Sequence, residues 1–405
     1  TELPIFIVAM EKLPFFKAVD KKLREIYPDF ESLDRDYKNY YFIKLLLSSD
    51  YFDFANKPKA VLPFHEYKNH IANPIEEHLN ECVHYATANQ ISNLHFTVSE
   101  AHQNLFENEI LLLKEKIEKE SKTKINIAYS YQSKKTDSIT VDAKNKVVRD
   151  KKNAVIFRPG GHGALIENLN DLDADIIFIK NIDNVIQNHI DQITLYKKAL
   201  AGILITMQQK VFEYLEAIDK EQIQTEQISE IVLFLKEHLN TEITSDFNKF
   251  TIENKIIKLK ELLDRPIRVC GMVKNEGEPG GGPFWVMSNK GEVSLQIVET
   301  SQVDLFNQKQ QQILAEATHF NPVDLVCGIK NYKNEKFDLK NFIDQKAGFI
   351  VEKSVDGKIV RSYELPGLWN GAMADWLTIF VAVPLLTFNP VKTVNDLLKP
   401  AHQPQ

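Results

Sequence analysis

Apolar positions recur at helical spacing through the first fifty residues: Leu23, Ile26 and Tyr27, then Tyr41, Ile43 and Leu46, fall on one face. The pattern predicts a helical N-terminal cap over residues 1–50. Beyond Asp50 it alternates. Asn93–Val98 reads as a strand, Leu105–Lys119 as an amphipathic helix and Ile125–Ser130 as a second strand, while the short apolar runs Ala154–Phe157 and Ile176–Ile179 read as fully buried strands. Strands alternating with helices predict an α/β fold with a mixed, mostly parallel sheet flanked by helices. From Asn188 to Arg265 the strand pattern stops. Long segments rich in Gln, Glu and Lys, such as Leu195–Ile218 and Ile228–Leu239, predict an α-helical insertion outside the sheet, as an interaction or lid element. Strand patterns return at Ile267–Val273, Val293–Glu299 and Val323–Ile329, followed by a hairpin from Phe349 to Leu365 turning at Asp356-Gly357.

Composition narrows the class. The 405 residues are 43% hydrophobic and 26% charged, and no apolar run approaches the ~20 residues of a membrane span. No membrane partner is expected. With a net charge of −7 there is no basic stripe for a phosphate backbone, so no nucleic acid partner is expected either. Cys82, Cys270 and Cys327 are widely spaced and form no CxxC pair, which fits a reducing cytoplasm. The chain starts at Thr1 without a basic n-region or a cleavage site, and is expected to be trimmed at its start.

No glycine occurs before Gly160, and a run of them then follows a short apolar strand: Phe157-Arg158-Pro159-Gly160-Gly161-His162-Gly163. Three glycines in four positions allow backbone N–H and C=O groups to face a base or phosphate directly, so the loop reads as a backbone cradle. About a dozen residues on, Ile176–Ile179 ends in Lys180-Asn181-Ile182-Asp183-Asn184, and polar residues at the end of a buried strand are where open α/β sheets bind ligands. Asp183 is the candidate Mg²⁺ ligand, because that ion takes carboxylate, water and phosphate oxygens. The D-x-D patterns at Asp171–Asp175 precede the strand and read as solvated.

These segments resemble the UDP-sugar pyrophosphorylases of the nucleotidyltransferase superfamily, in which P-G-H-G is followed by a strand ending in N-I-D-N. A second segment, Phe388-Asn389-Pro390-Val391-Lys392-Thr393-Val394-Asn395-Asp396-Leu397-Leu398, is similar to R-F-L-P-V-K-T-x-x-D-L-L of the same enzymes. Asn56–Phe64 resembles the P-K-x-L-x-P half of the superfamily signature, Val298–Val303 resembles E-[YI]-[SA]-Q/E, and Phe320-Asn321 resembles a following F-N. The chain as a whole is similar to a bacterial domain-of-unknown-function family, through VKNEGEPGGGPFWV at Val273–Val286 and LPGLWNGAMADW at Leu365–Trp376. One departure stands out: no G-x-G-T-R loop precedes Lys59, which would place any such loop before Thr1.

The resemblance implies a nucleotidyltransferase-like (GT-A type) fold and transfer of a nucleotidyl group, uridylyl from UTP, to a sugar 1-phosphate. Lys59 and Lys392 would then contact phosphates, Asp183 Mg²⁺, and Gly160, Gly161, His162, Gly163 and Asn184 the nucleotide. Glu299, Asn321, Asn370 and Asp375 would face the sugar, with Gly371 beside them and Gly280–Gly282, near Glu276 and Glu278, as a further backbone approach. The corresponding division is a cap at 1–50, a nucleotide-binding half at 51–187, the insertion at 188–265, a sugar-binding half at 266–390 and a phosphate-contact tail at 391–405. Lys392 and Asp183 should therefore meet in space. No G-x-S-x-G elbow and no polar-loop Cys suggests a protein nucleophile. The competing readings are a non-catalytic nucleotide or nucleotide-sugar binding module and a nucleotide-sugar-dependent glycosyltransferase.

Overall fold

The computed structural model describes residues 2–277, 280–288, 291–355 and 358–404. The chain is a mixed α/β protein of two compact units, each drawn from several stretches of sequence. No described helix is long and apolar enough to cross a membrane.

The first unit comprises Thr1–Tyr129, Lys180–Tyr196 and Leu386–Gln405. Helices α1 (Glu2–Ala9), α2 (Phe16–Ile26) and α3 (Arg35–Leu47) form its N-terminal part, as the apolar spacing predicts. The Asp34 side chain caps α3 by accepting from the backbone N–H groups of Asp36 and Tyr37, both at 3.1 Å. The buried faces of these helices, including Leu23, Phe42 and Leu45, pack with Val185, Val391 and Leu397 from the two later stretches. At ~1.5–3 kcal/mol for each fully buried large apolar side chain, this core is what holds the C-terminal stretch to the N-terminal one. A second core joins α4 (Pro74–Tyr85) and α5 (Gln103–Ser121) to the strands Ile91–Thr97 and Lys124–Ser130, through Ile75, Leu79, Phe96, Phe106, Ile110 and Ile125. Helix α4 begins with an Asn73 cap and Pro74 in its first turn, where proline's missing N–H is not needed.

The second unit comprises Ser130–Ile179 and Lys197–Leu385. Its four-stranded sheet has the order Leu377–Ala382, Ile267–Lys274, His319–Gly328, Ile177–Ile179. Only the first of these pairings is parallel; the other two are antiparallel, which corrects the mostly parallel expectation. Ile267–Lys274 is buried at seven of its eight positions, as a central strand must be. The two runs read as buried parallel strands differ from that reading. Ile177–Ile179 is a half-buried edge strand, and Phe157–Arg158 is a two-residue strand antiparallel to Ser138–Ile139 with the Phe157 side chain exposed. A short apolar run carries no information about its pairing partner, so its period alone could not decide between these cases.

Helix α6 (Leu165–Asp171) packs against the sheet through Ile166 and Leu169. Helices α7 (Ile190–Asp219), α8 (Thr225–His238) and α9 (Ile252–Leu263) occupy the predicted insertion, but they are not set apart from the sheet. Lys197 of α7 forms a buried ion pair with Asp324 of the sheet, and a Cβ at Gly271 on the central strand would press to 3.1 Å on Leu200 of α7. The segment also contains a strand, Thr241–Glu242, which pairs antiparallel with Val293–Val298. Lys236 and Lys258 bind Glu242 and Glu292, both within this unit. The predicted hairpin is present as Phe349–Val355 paired with Lys358–Glu364; its turn at Asp356-Gly357 lies outside the described residues, as does Glu278.

Candidate functional site

Asp183 lies near the start of the stretch Lys180–Tyr196 that returns to the first unit, and its backbone is held by the C-terminal stretch. Its carbonyl accepts from the Val391 N–H at 3.0 Å, and Asn184 bridges Pro390 in antiparallel fashion. The Asn184 side chain completes the clasp: Oδ1 accepts from the Asn389 N–H at 2.8 Å and Nδ2 donates to the Thr387 carbonyl at 3.3 Å. This buried amide joins two chain segments, where the sequence suggested a nucleotide contact. Lys392 follows directly, its N–H and that of Thr393 bound to the Asp396 carboxylate at 2.9 and 2.7 Å. Burial alone would raise the Asp396 pKa, but hydrogen bonds from Lys399 and from these backbone groups outweigh it and hold the carboxyl below its ordinary value.

The result is a cluster. Lys392 Nζ lies 3.3 and 3.0 Å from Asp183 Oδ1 and Oδ2, across 209 positions of sequence. Lys59 Nζ lies 3.0 Å from Asp183 Oδ2 and 2.7 Å from the Val391 carbonyl. The carboxylate is buried, with 9% of its side chain exposed, whereas the lysine side chains are 42% and 59% exposed. Two cations and one anion leave a net positive charge, and the lysines carry it on the accessible side. Such an arrangement suits a polyanion.

No group of three or more His, Cys, Asp or Glu residues able to hold a metal occurs among the described residues. Asp183 is thus a single carboxylate with two ammonium groups on it. It fits Mg²⁺ as one protein ligand, the usual number for an ion that keeps several waters and binds substrate phosphates.

In the second unit the glycine loop is packed against the chain itself. A Cβ at Gly160 would lie 2.4 Å from the Thr136 carbonyl oxygen, one at Gly163 2.0 Å from that of Pro366, and one at Gly161, whose φ is +78°, 2.7 Å from Glu364 Oε2. These close approaches require glycine at each position, and they close the Cβ side of the loop with residues 136 and 364–366. His162 Nδ1 accepts from the Leu368 N–H at 3.1 Å, so its hydrogen sits on Nε2, and its ring packs on Trp369 with centroids 4.6 Å apart. Burial pushes its pKa down, opposed by the nearby charges of Glu299 and Glu364. Glu299 also caps the turn at Thr300–Gln302. Asn321 falls in His319–Gly328, and its side chain lies outside the described residues.

Asn370 and Asp375 line a cavity of about 620 Å³ in this unit, together with Gln296, Ser301, Gln302 and Lys346. Behind that wall lies Arg268, fully buried. Its guanidinium donates to Thr378 Oγ1 at 2.9 Å, the Trp369 carbonyl at 2.6 Å and Gln296 Oε1 at 3.0 Å. Asp173 and Asp175, of the D-x-D pattern, are exposed and paired with Lys330. All three cysteines are buried; burial pushes the Cys82 thiol up to about 12 and the Cys270 thiol up to about 11, so neither supplies a thiolate.

Sequence reasoning missed the buried polar network of the first unit. Helix α4 buries Glu76, Glu77, His78 and Glu81. Glu77 meets His65 Nδ1 at 2.6 Å, and His65 Nε2 meets Nδ1 of His402, from the C-terminal stretch, at 2.8 Å. The signal available was an E-E-H-x-x-E run within an otherwise amphipathic helix, which resembles a solvated face unless the partners are known.

Burial, and then the neighbouring His65, push the His402 pKa down to about 4. The unfolded chain protonates this ring near pH 6.5 but the folded chain does not until about pH 4, so the unfolded state binds more protons in between. Stability should therefore fall as pH drops, by about 2 kcal/mol between pH 7 and pH 5. Urea unfolding of the wild type and of His402→Gln at both pH values checks this, and an equal loss in the variant would refute it.

A family profile matches residues 1–403. The chain belongs to the DUF4301 family, a domain of unknown function. Among curated proteins none matches. Among solved structures, the DUF4301 chain is similar to a variant of UDP-glucose pyrophosphorylase from Leishmania major in complex with UDP-glucose, with 13% identity and a TM-score of 0.45, covering 84% of this chain and 61% of that one. A second variant of the Leishmania enzyme gives 14% identity and a TM-score of 0.46, again over 84% of this chain and 61% of that one. A protein of Entamoeba histolytica assigned as a UDP-N-acetylglucosamine pyrophosphorylase gives 11% identity and 0.45, over 83% and 72%. The DUF4301 chain thus spans about three fifths of the Leishmania enzyme's length.

Proposed function

We propose that this chain transfers a nucleotidyl group, uridylyl from UTP, to a sugar 1-phosphate and releases pyrophosphate. The observation that carries the reading is the gathering of Lys59 and Lys392 on the buried carboxylate of Asp183, from three distant parts of the sequence. An oxygen of the sugar phosphate attacks the α-phosphorus of the triphosphate, and the bond to the pyrophosphate oxygen breaks in line. No protein nucleophile enters. Two anions must be brought together and the charge growing on the leaving pyrophosphate offset, which is work for fixed cations. Lys59 and Lys392 are the groups that would meet phosphate oxygens, and Asp183 is the carboxylate that would hold Mg²⁺. When bound, the ion would neutralise phosphate charge.

The family resemblance further assigns Gly160, Gly161, His162 and Gly163, in the second unit, to nucleotide contact. Glu299, Asn321, Asn370 and Asp375 are proposed to meet sugar hydroxyls. Calorimetry with UTP, ATP and GTP in the presence of Mg²⁺ tests the reading, with UTP expected to bind below millimolar concentration and most tightly. Binding of none of the three would refute it. UTP binding without pyrophosphate release on addition of any sugar 1-phosphate would favour the binding-module alternative.

A further inference from the structure

Burying charge is costly, and an apolar pair would fill the same space at no loss of stability, so a buried ionic network calls for a reason other than packing. In the first unit such a network runs from α4 to the residue before Asp183. The Glu81 carboxylate, with 3% of its side chain exposed, accepts from Lys180 Nζ on both oxygens at 2.7 and 2.6 Å, from Tyr85 Oη at 3.1 Å, and from His78 Nδ1 at 3.0 Å. On the far side of the same ring, His78 Nε2 donates to the Ile182 carbonyl at 3.1 Å. The ring is thus a rigid strut with a nitrogen engaged at each end, one at Glu81 on the helix and the other at the Ile182 carbonyl.

We infer that His78, Glu81 and Lys180 are positioning residues for the phosphate cluster, fixing from α4 the point at which Asp183 holds Lys59 and Lys392. The inference rests on the proposed reading for its catalytic consequence but not for its geometry. Lys180 and Ile182 bracket Asn181 and lead directly into Asp183, so two of the three preceding residues are anchored to one helix. On the other side Asp183 is clasped by Val391 and Asn184. Loss of the α4 anchor leaves the segment held from one side only. A displacement of about 1 Å at reacting groups costs on the order of 10²-fold in rate.

The test uses the full chain with His78→Ala, His78→Gln and Glu81→Gln. His78→Gln keeps a donor for the Ile182 carbonyl. The readout that does not depend on any reaction is the rate at which Lys59 and Lys392 are labelled by an amine-directed ester, followed by mass spectrometry. Lysines held on Asp183 label slowly; His78→Ala and Glu81→Gln should raise their labelling at least about threefold, and His78→Gln should restore the slow rate. If turnover is present, His78→Ala should lower kcat by about 30-fold with KM for UTP changed less than about threefold, and its effect should largely vanish in a Lys392→Ala background. Glu81→Gln, close in shape to the native side chain, stands in if His78→Ala fails to fold. Unchanged lysine labelling in a folded variant overturns the inference, whatever the activity. Raised labelling in a chain that transfers no nucleotide leaves the inference standing and refutes only the reaction.

Discussion

Replacing Lys392 by Ala lowers turnover by on the order of 10²-fold, because a fixed cation meeting developing charge contributes a few kcal/mol to lowering the barrier. Lys59→Ala should do the same. Neither change should move the melting temperature by more than about 2 °C, since both side chains are substantially exposed and such pairs contribute little to stability. Asp183 keeps one ammonium partner in each single variant, so no bare buried carboxylate is created. The double variant removes both partners and should melt lower. Pyrophosphate release under steady-state conditions, beside a thermal melt, separates the two effects. Turnover within about threefold of the wild type in Lys392→Ala would end the shared-site argument, and the protein would then be read as a binding module.

Arg268→Met is the change with the largest expected effect on stability, about 3–5 kcal/mol. The guanidinium is fully buried and joins three pieces of the second unit: Thr378 on the neighbouring strand, Gln296 on the antiparallel hairpin, and the Trp369 carbonyl in the loop that carries Asn370. Methionine fills most of the space but leaves the Trp369 carbonyl and the Gln296 amide oxygen without the donor that Arg268 supplies. The melting temperature should drop by roughly 10 °C. The near-ultraviolet circular dichroism should change with it, because Arg268 holds the backbone of Trp369, whose ring packs on His162. A loss below about 1 kcal/mol would mean that water or rearranged neighbours satisfy those groups.

The site was legible where a motif carried its own chemistry. The segment around Lys392 and the one around Asp183 each stood out by a run of specific residues, and their 3.0 Å contact follows from placing both at one phosphate site. The helical start was legible too, because a 3.6-residue period over three helices leaves little room for another reading. Three things were not. Sheet direction was lost because Ile177–Ile179 has the composition of a central strand yet pairs at an edge. The loop at Gly160 was open to two readings because a missing side chain looks the same whether the neighbour is a ligand or Pro366 of the same chain. Glu77, His78 and Glu81 were invisible because charged residues on a helix normally face water, and only the positions of His65, His402 and Lys180 reveal that these do not.

The order in which the chain is made follows from the discontinuity of the first unit. Lys59 leaves the ribosome 333 residues before Lys392 (392 − 59), a delay of roughly 20–70 s at ordinary elongation rates. For all of that time the helices around Leu23, Phe42 and Leu45 lack Val391 and Leu397, and the carboxylate of Asp183 has one lysine instead of two. The second unit, encoded in between, has its sheet strands in hand by Ala382 and can close first. A nascent chain stalled before residue 390 would thus carry a finished second unit and, in the first, an apolar surface open to chaperones, with the cluster at Asp183 incomplete until its last segment emerged.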